Sequence, residues 1–152
     1  GKVFSATWPD YGEVAVKSIL LRSAEDPAYI VDEIQALKQV RDDDHFIRLH
    51  HAMMSSLESV LLVTELLRGE DGVDFFDRLK KRGGTPPSIL AAIARHLLLG
   101  LQVLHQRRLA HLDLKPENIY INSDGRVKIL DLGLAKRLDD PKHRNFKAGT
   151  PD

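Results

Sequence analysis

The chain has 152 residues, of which 43% are hydrophobic and 29% charged, so it is long enough and apolar enough to bury a core. Its 22 basic residues balance its 22 acidic residues, which gives no electrostatic reason to expect a nucleic acid or an anionic membrane as partner. Cysteine is absent, so disulfides and thiolate metal sites are excluded.

The first half of the chain alternates strand and helix patterns. Residues 2–8 and 13–20 read as two strands joined by a turn containing proline, aspartate and glycine. Apolar residues at helical spacing predict a helix over residues 23–40. Residues 46–53 and 59–66 predict a further pair of strands.

The second half is richer in helix. Residues 68–73 are predicted to form a loop and residues 74–83 a short helix that ends at two glycines. Prolines at its start favour a long helix over residues 86–107. Strands 118–121 and 126–130 flank "NSDG", an Asp-Gly hairpin signal. The order predicts an α+β protein with two lobes.

The long helix contains the most apolar stretch of the chain. Arg95 and His96 interrupt it, so we expect a soluble-protein helix and no membrane span. The chain opens without a signal peptide, begins with Gly1 and stops at Asp152, so both ends are expected to be cut. Together with the lack of cysteine, this favours a cytoplasmic location.

Polar side chains are unusually dense in "HLDLKPENIYI", residues 111–121. Asp113 can accept a proton from a hydroxyl, and Lys115, two residues on, can neutralise a phosphoryl group. Asn118 and Asp131 offer oxygens suited to a hard cation such as Mg²⁺. The predicted hairpin between these two residues would bring them together. No histidine has the spacing of a metal ligand.

These motifs resemble those of a known family. "HLDLKPEN" resembles the protein-kinase catalytic loop H-R-D-L-x-x-x-N, and "DLG" at 131–133 resembles D-F-G. "EVAVK", ending at Lys17, resembles the V-A-I-K strand, and "GKV" at 1–3 resembles the end of a glycine-rich loop. The chain is most similar to serine/threonine kinases of the calmodulin-dependent, myosin light-chain, titin-like and death-associated group.

The resemblance implies a truncated two-lobed kinase fold. Residues 1–67 would form the N-lobe and hinge without the first strand, and residues 68–152 would begin the C-lobe with the catalytic loop and activation segment. ATP and Mg²⁺ would be the cofactors, and a protein with a Ser or Thr acceptor the substrate. The resemblance predicts no nucleic-acid or membrane partner. Control by calmodulin or another regulatory tail would come from segments outside this chain.

The same resemblance implies a role for each matching residue. Asp113 would deprotonate the substrate hydroxyl, with Lys115 and Asn118 completing the catalytic loop. Lys17 would bind the α- and β-phosphates and pair with Glu33. Asp74 would bond the ribose, a role that Asp71 or Glu70 could also fill. The expected ATP-binding set is Gly1, Val3, Ala15, Lys17, Glu33, Thr64, Glu65, Leu67, Asp74, Tyr120 and Asp131, and the expected metal ligands are Asn118 and Asp131.

The chain departs from the kinase pattern at several positions. Leu112 replaces the arginine that usually holds an activation-loop phosphate, and residues 134–149 contain no Ser, Thr or Tyr. Thr150 corresponds to a residue that supports the catalytic aspartate. Leu132 replaces phenylalanine, an apolar swap that should be tolerated. Tyr120 stands where a leucine usually lies beneath adenine, so we expect an altered pocket floor.

Two alternatives to an active kinase remain open at this point. The parent protein could be a kinase-fold scaffold that binds partners and catalyses little, or the chain alone could be an inactive fragment. Without the rest of the C-lobe, one face of the long helix is expected to lose part of its cover. That face comprises Ile93, Leu97, Leu101 and Leu104.

Overall fold

A four-stranded antiparallel sheet and one helix form the first half of the chain. The computed structural model describes residues 2–22, 26–68, 72–75, 85–122 and 125–141. The elements are β1 (Lys2–Trp8), β2 (Gly12–Leu20), α1 (Asp26–Val40), β3 (Leu49–Ser56) and β4 (Ser59–Glu65). The strands lie in the order β1-β2-β4-β3. Gly12, at φ +70°, ends the turn between the first two strands in a conformation that glycine adopts readily.

The second half of the chain contains a long helix and two small sheets. Strands β5, β7 and β8 form one sheet in the order β5-β7-β8, and β6 pairs with β9 in the other. A 3₁₀ turn precedes β7. The elements are β5 (Gly72–Asp74), α2 (Pro87–Gln106), β6 (Leu109–Ala110), the turn Pro116–Asn118, β7 (Ile119–Asn122), β8 (Val127–Ile129) and β9 (Lys136–Arg137).

The α+β class and the two-lobed arrangement predicted from the sequence are confirmed. The loop predicted over residues 68–73 is wrong in part, because residues 72–74 form β5 and pair with β7. The pairing of β6 with β9 was not predicted, since two-residue strands are too short to show an alternating pattern. The short helix predicted over 74–83 falls mostly on residues 76–84, outside the described residues.

Helix α2 packs through part of the face that was expected to lose cover. Ile93, Gly100 and Leu104 are buried, and a Cβ at position 100 would lie only 3.1 Å from the side chain of Ile129. Leu98, at 66% exposure, is the most exposed apolar residue of the helix. By length and composition alone, α2 is the one helix among the described residues that could span a membrane.

The prediction about Ile93 and Leu104 is therefore wrong, because the β7–β8 hairpin and the segment around β6 supply their cover. Ile93 belongs to a buried cluster with residues of the hairpin, and Leu104 belongs to the main core. Leu97 and Leu101 are partly buried against these clusters. Ile93, Gly100 and Leu104 are the buried residues of α2, and its other apolar residues are half-buried or exposed.

The main core joins the two halves. Leu37 of α1, Leu49 of β3 and Leu132 share one buried cluster with Leu104 of α2. His111 is buried as well, at 4% exposure. Helix α1, strand β3 and the segment that follows Asp131 therefore share one core with α2.

Candidate active site

A lysine of β2 meets a buried acid of α1. The Nζ atom of Lys17 lies 2.6 Å from Oε1 of Glu33 and 3.7 Å from Oδ1 of Asp131. Burial by itself would lower the pKa of Lys17, but the two carboxylates outweigh it and the pKa is raised. Lys17 therefore carries its charge at neutral pH. The ion pair with Glu33 fixes the position of its ammonium group.

The register of the sheet explains which side chains accompany Lys17. Val3 is paired with Lys17, and Lys17 is paired with Leu62, so these three residues form one row across β1, β2 and β4. Ala15 is paired with Thr64 in a neighbouring row on the same face. Because side chains two residues apart share a face of a strand, all five line one cleft.

The catalytic loop places a carboxylate beside a lysine and an amide. Nζ of Lys115 lies 2.9 Å from Oδ2 of Asp113. Asn118 donates from Nδ2 to the backbone carbonyl of Asp113 at 3.1 Å and to its carboxylate at 3.4 Å. Leu112 takes a left-handed φ of 65°, which is uncommon for a residue with a Cβ. The backbone thus bends sharply just before Asp113.

Asn118 and Asp131, at the two ends of the hairpin, both line the cleft and carry side-chain oxygens that can bind a cation. The backbone N–H of Leu130 donates to the carbonyl of Asn118 at 2.9 Å, which brings Asn118 close to Asp131. Oδ1 of Asp131 accepts a hydrogen bond from the Gly133 N–H at 2.8 Å. Since Nδ2 of Asn118 is held by Asp113, the Oδ1 atom of Asn118 is the one left to bind a cation.

His111 is buried at the start of this loop. Its Nδ1 atom accepts a hydrogen bond from the Asp113 N–H at 3.3 Å. Within the described part of the chain, its buried Nε2 atom has no hydrogen-bond partner. Burial lowers the pKa of His111, and the nearby Asp131 and Asp113 only partly oppose that effect. His111 is therefore a buried packing residue of the loop.

We expect this histidine to make the folded state sensitive to mild acid. A His with a lowered folded pKa stabilises the fold fully above its unfolded pKa of about 6.5, and that stability is lost as the pH falls through the folded pKa. Thermal unfolding followed from pH 7.5 to pH 5 should therefore show a steeper loss in the wild type than in His111→Gln. His105→Gln, at an exposed position of α2, should keep the wild-type slope; equal slopes in all three proteins would contradict this assignment.

The hinge residues lie near the cleft but do not line it. The Glu65 N–H donates to the Arg48 carbonyl, and its side chain lies 2.7 Å from Nζ of Lys128 on β8. Leu67 is half-buried in the irregular segment after β4. Tyr120 is buried and donates its hydroxyl to the backbone carbonyl of Arg68. The structure therefore connects the hinge to the hairpin and does not place the Tyr120 side chain among the cleft walls.

The cleft has a volume of about 270 Å³. Of the residues expected from sequence, it brings together Val3, Ala15, Lys17, Glu33, Thr64, Asn118 and Asp131. Leu37, Ile47, Leu62, Glu117 and Leu130 also line it and were not predicted as site residues. Alternation along β4 could have indicated Leu62, which is two residues from Thr64. The side chain of Asp74 and all of Gly1, Glu70, Asp71 and Thr150 lie outside the described residues.

The side-chain oxygens of Asn118 and Asp131 in this cleft are suitable ligands for Mg²⁺ bound with a nucleotide. No group of three or more His, Cys, Asp or Glu side chains converges as a metal site among the described residues. Mg²⁺ does not need such a group, since it commonly binds one or two protein oxygens and completes its shell with water and phosphate. The apolar walls suit a flat base, and Lys17 with the two oxygen donors suits the phosphate end.

Comparison with known proteins agrees with this geometry. The protein kinase domain family matches residues 1–152. Human myosin light chain kinase 3 is 34% identical over 157 aligned residues, which cover 100% of this chain and 18% of that protein. Myosin-IIIa of human and mouse is 32% identical over 162 residues, covering 99% of this chain and 10% of myosin-IIIa.

A third relative matches a shorter stretch more closely. Mitogen-activated protein kinase kinase 1 of Arabidopsis thaliana is 46% identical over 78 residues, covering 51% of this chain and 22% of that protein. The chain therefore spans only a small part of the length of the relatives it matches. The family match nevertheless extends over every residue, and the chain belongs to the protein kinase family.

Proposed function

We propose that this chain is catalytic machinery of a cytoplasmic serine/threonine protein kinase that uses ATP with Mg²⁺. One observation supports this proposal above the others. The same cleft is lined by Lys17, Glu33, Asn118 and Asp131, and Asn118 donates hydrogen bonds to Asp113. The lysine of "DLKPEN" and the kinase relatives favour a Ser or Thr acceptor.

Each residue has a distinct task in this proposal. Mg-ATP, when bound, supplies the phosphoryl group and neutralises part of its charge. Asp113 orients the substrate hydroxyl and takes its proton, while Lys115 offsets negative charge beside it. Lys17, held by Glu33, offers its ammonium to the phosphates. Asn118 and Asp131 would hold the cation. Catalysis of this kind is mostly positioning and electrostatic stabilisation.

We expect this activity without phosphorylation of the activation segment. Ordering such a segment by phosphorylation needs an acceptor hydroxyl and a cation for the phosphate. Residues 134–149 offer no hydroxyl, and position 112 offers leucine in place of a cation. The full-length protein, treated with phosphatase and verified by mass, should phosphorylate a basic Ser peptide with Mg-ATP.

Asp113→Asn is the matched control, because it removes the proton acceptor and keeps the shape of the side chain. It should lower turnover by about 10²-fold or more. Activity that appears only after another kinase modifies residues 134–150 would contradict the regulatory part of the proposal. An unmodified protein that binds partners but transfers no phosphate would favour the kinase-fold scaffold.

A further inference from the structure

A buried lysine follows the Asp131-Leu132-Gly133 segment. Lys136, on β9, has a side chain only 5% exposed. An ammonium group buried this deeply is costly unless a counter-charge and hydrogen bonds compensate it. The mechanism proposed above gives Lys136 no task, so the identity of its partners indicates what it does.

Lys136 contacts two residues of α1. Its Nζ atom lies 2.6 Å from Oδ2 of Asp32 and 4.8 Å from the centre of the Tyr29 ring. Tyr29 and Asp32 are three residues apart and therefore share a helix face. The attraction between an ammonium and an aromatic face adds to the ion pair. Both contacts attach Lys136 to the same face of α1.

Asp32 is the immediate neighbour of Glu33. Consecutive acids of α1 therefore pair with two lysines from different elements, Glu33 with Lys17 of β2 and Asp32 with Lys136 of β9. Ala110 of β6 is the residue paired with Lys136 across the small sheet. Ala110 directly precedes His111 and the catalytic loop. The second ion pair therefore connects α1 to the strands from which the catalytic loop starts.

We propose that the Asp32–Lys136 pair is a positioning device that holds α1 where Glu33 reaches Lys17. The carboxylate of Asp32 supplies a counter-charge to Lys136 without any modification. This proposal rests on the proposed kinase function, since it assigns the pair a role in turnover. Asp32 and Lys136 act through Glu33 and touch no substrate.

Single substitutions in the full-length protein test the pair. Asp32→Asn and Lys136→Met should each lower kcat about tenfold, a coupling of the size that contacting residues show, with the KM for the peptide unchanged. The double variant should be no worse than either single variant. Lys136→Arg, which keeps the charge, should retain wild-type kcat. Asp42→Asn, at an exposed acid just after α1, should also behave as the wild type.

Two further measurements separate positioning from general stability and from the proposed function. In a Glu33→Gln background, Asp32→Asn should cost nothing more, because its effect passes through Glu33. Amide hydrogen exchange of residues 30–40 should quicken about tenfold in Lys136→Met and stay unchanged in Lys136→Arg. The exchange measurement does not depend on activity. It therefore tests whether the Asp32–Lys136 pair keeps α1 in position even if the wild type transfers no phosphate.

The proposal fails if the effects of Asp32→Asn and Lys136→Met multiply in the double variant. It also fails if Asp32→Asn keeps its full cost without Glu33, or if exchange in α1 is the same in Lys136→Met and Lys136→Arg. A wild type without turnover whose α1 still loosens in Lys136→Met would overturn the kinase function and the catalytic role of the pair, while upholding the contact as what holds α1.

Discussion

Replacing Lys17 with Met is expected to lower kcat for peptide phosphorylation by about 10²-fold or more, the loss typical of removing one preorganised charge from a transition state. Lys17 is the only cation among the described residues that line the cleft. Glu33 and Asp131 hold its ammonium within 2.6 Å and 3.7 Å. Steady-state kinetics with Mg-ATP and a basic Ser peptide measures the effect in the full-length protein.

The substitution also removes the ion-pair partner of the buried Glu33 carboxylate. We therefore expect a lower free energy of unfolding as well, because an unpaired buried acid must be neutralised or hydrated. The double variant Lys17→Met with Glu33→Gln should recover part of that stability and none of the turnover. Lys38→Met, at an exposed position of α1, should leave both unchanged. Equal turnover of Lys17→Met and the wild type would contradict the role assigned to Lys17.

Much of the site could be predicted because it lies on regular elements. Alternation along β2 places Ala15 and Lys17 on one face, and helical spacing places Glu33 on the same side of α1 as Leu37. Local sequence patterns decide which face each residue occupies, and the kinase resemblance supplied the pairing of Lys17 with Glu33. The hairpin signal likewise predicted that Asn118 and Asp131 approach each other.

The contacts of the hinge and of β9 could not be predicted in this way. Glu65 meets Lys128 and Tyr120 meets Arg68 across more than fifty residues of sequence, and no periodic pattern specifies such a pair. Asp32 and Lys136 are separated by 104 positions. From the sequence, a lysine in a two-residue strand is expected to be exposed to solvent. Only the tertiary structure shows that the side chain of Lys136 is buried.

Replacing Asp131 with Ala is expected to have the larger effect of two metal-site changes. Asp131 offers a charged oxygen to Mg²⁺, and Asn118 offers a neutral one. We expect a loss in turnover of about 10³-fold for Asp131→Ala and about ten- to hundredfold for Asn118→Ala, since each removes electrostatic stabilisation of different strength. Asp131 also accepts the Gly133 N–H at 2.8 Å, so its removal loosens the segment that begins the activation region.

Asp131→Asn separates these two contributions, because an amide oxygen can still accept the Gly133 N–H but carries no charge. If charge dominates, Asp131→Asn should resemble Asp131→Ala in turnover and resemble the wild type in thermal stability. Titration of Mg²⁺ at fixed ATP should show the half-saturating concentration rising further in either Asp131 variant than in Asn118→Ala. A larger rise in Asn118→Ala would reverse the assignment and make Asn118 the principal ligand. The carboxylate would then act mainly by fixing the turn at Gly133 and by sharing Lys17 with Glu33.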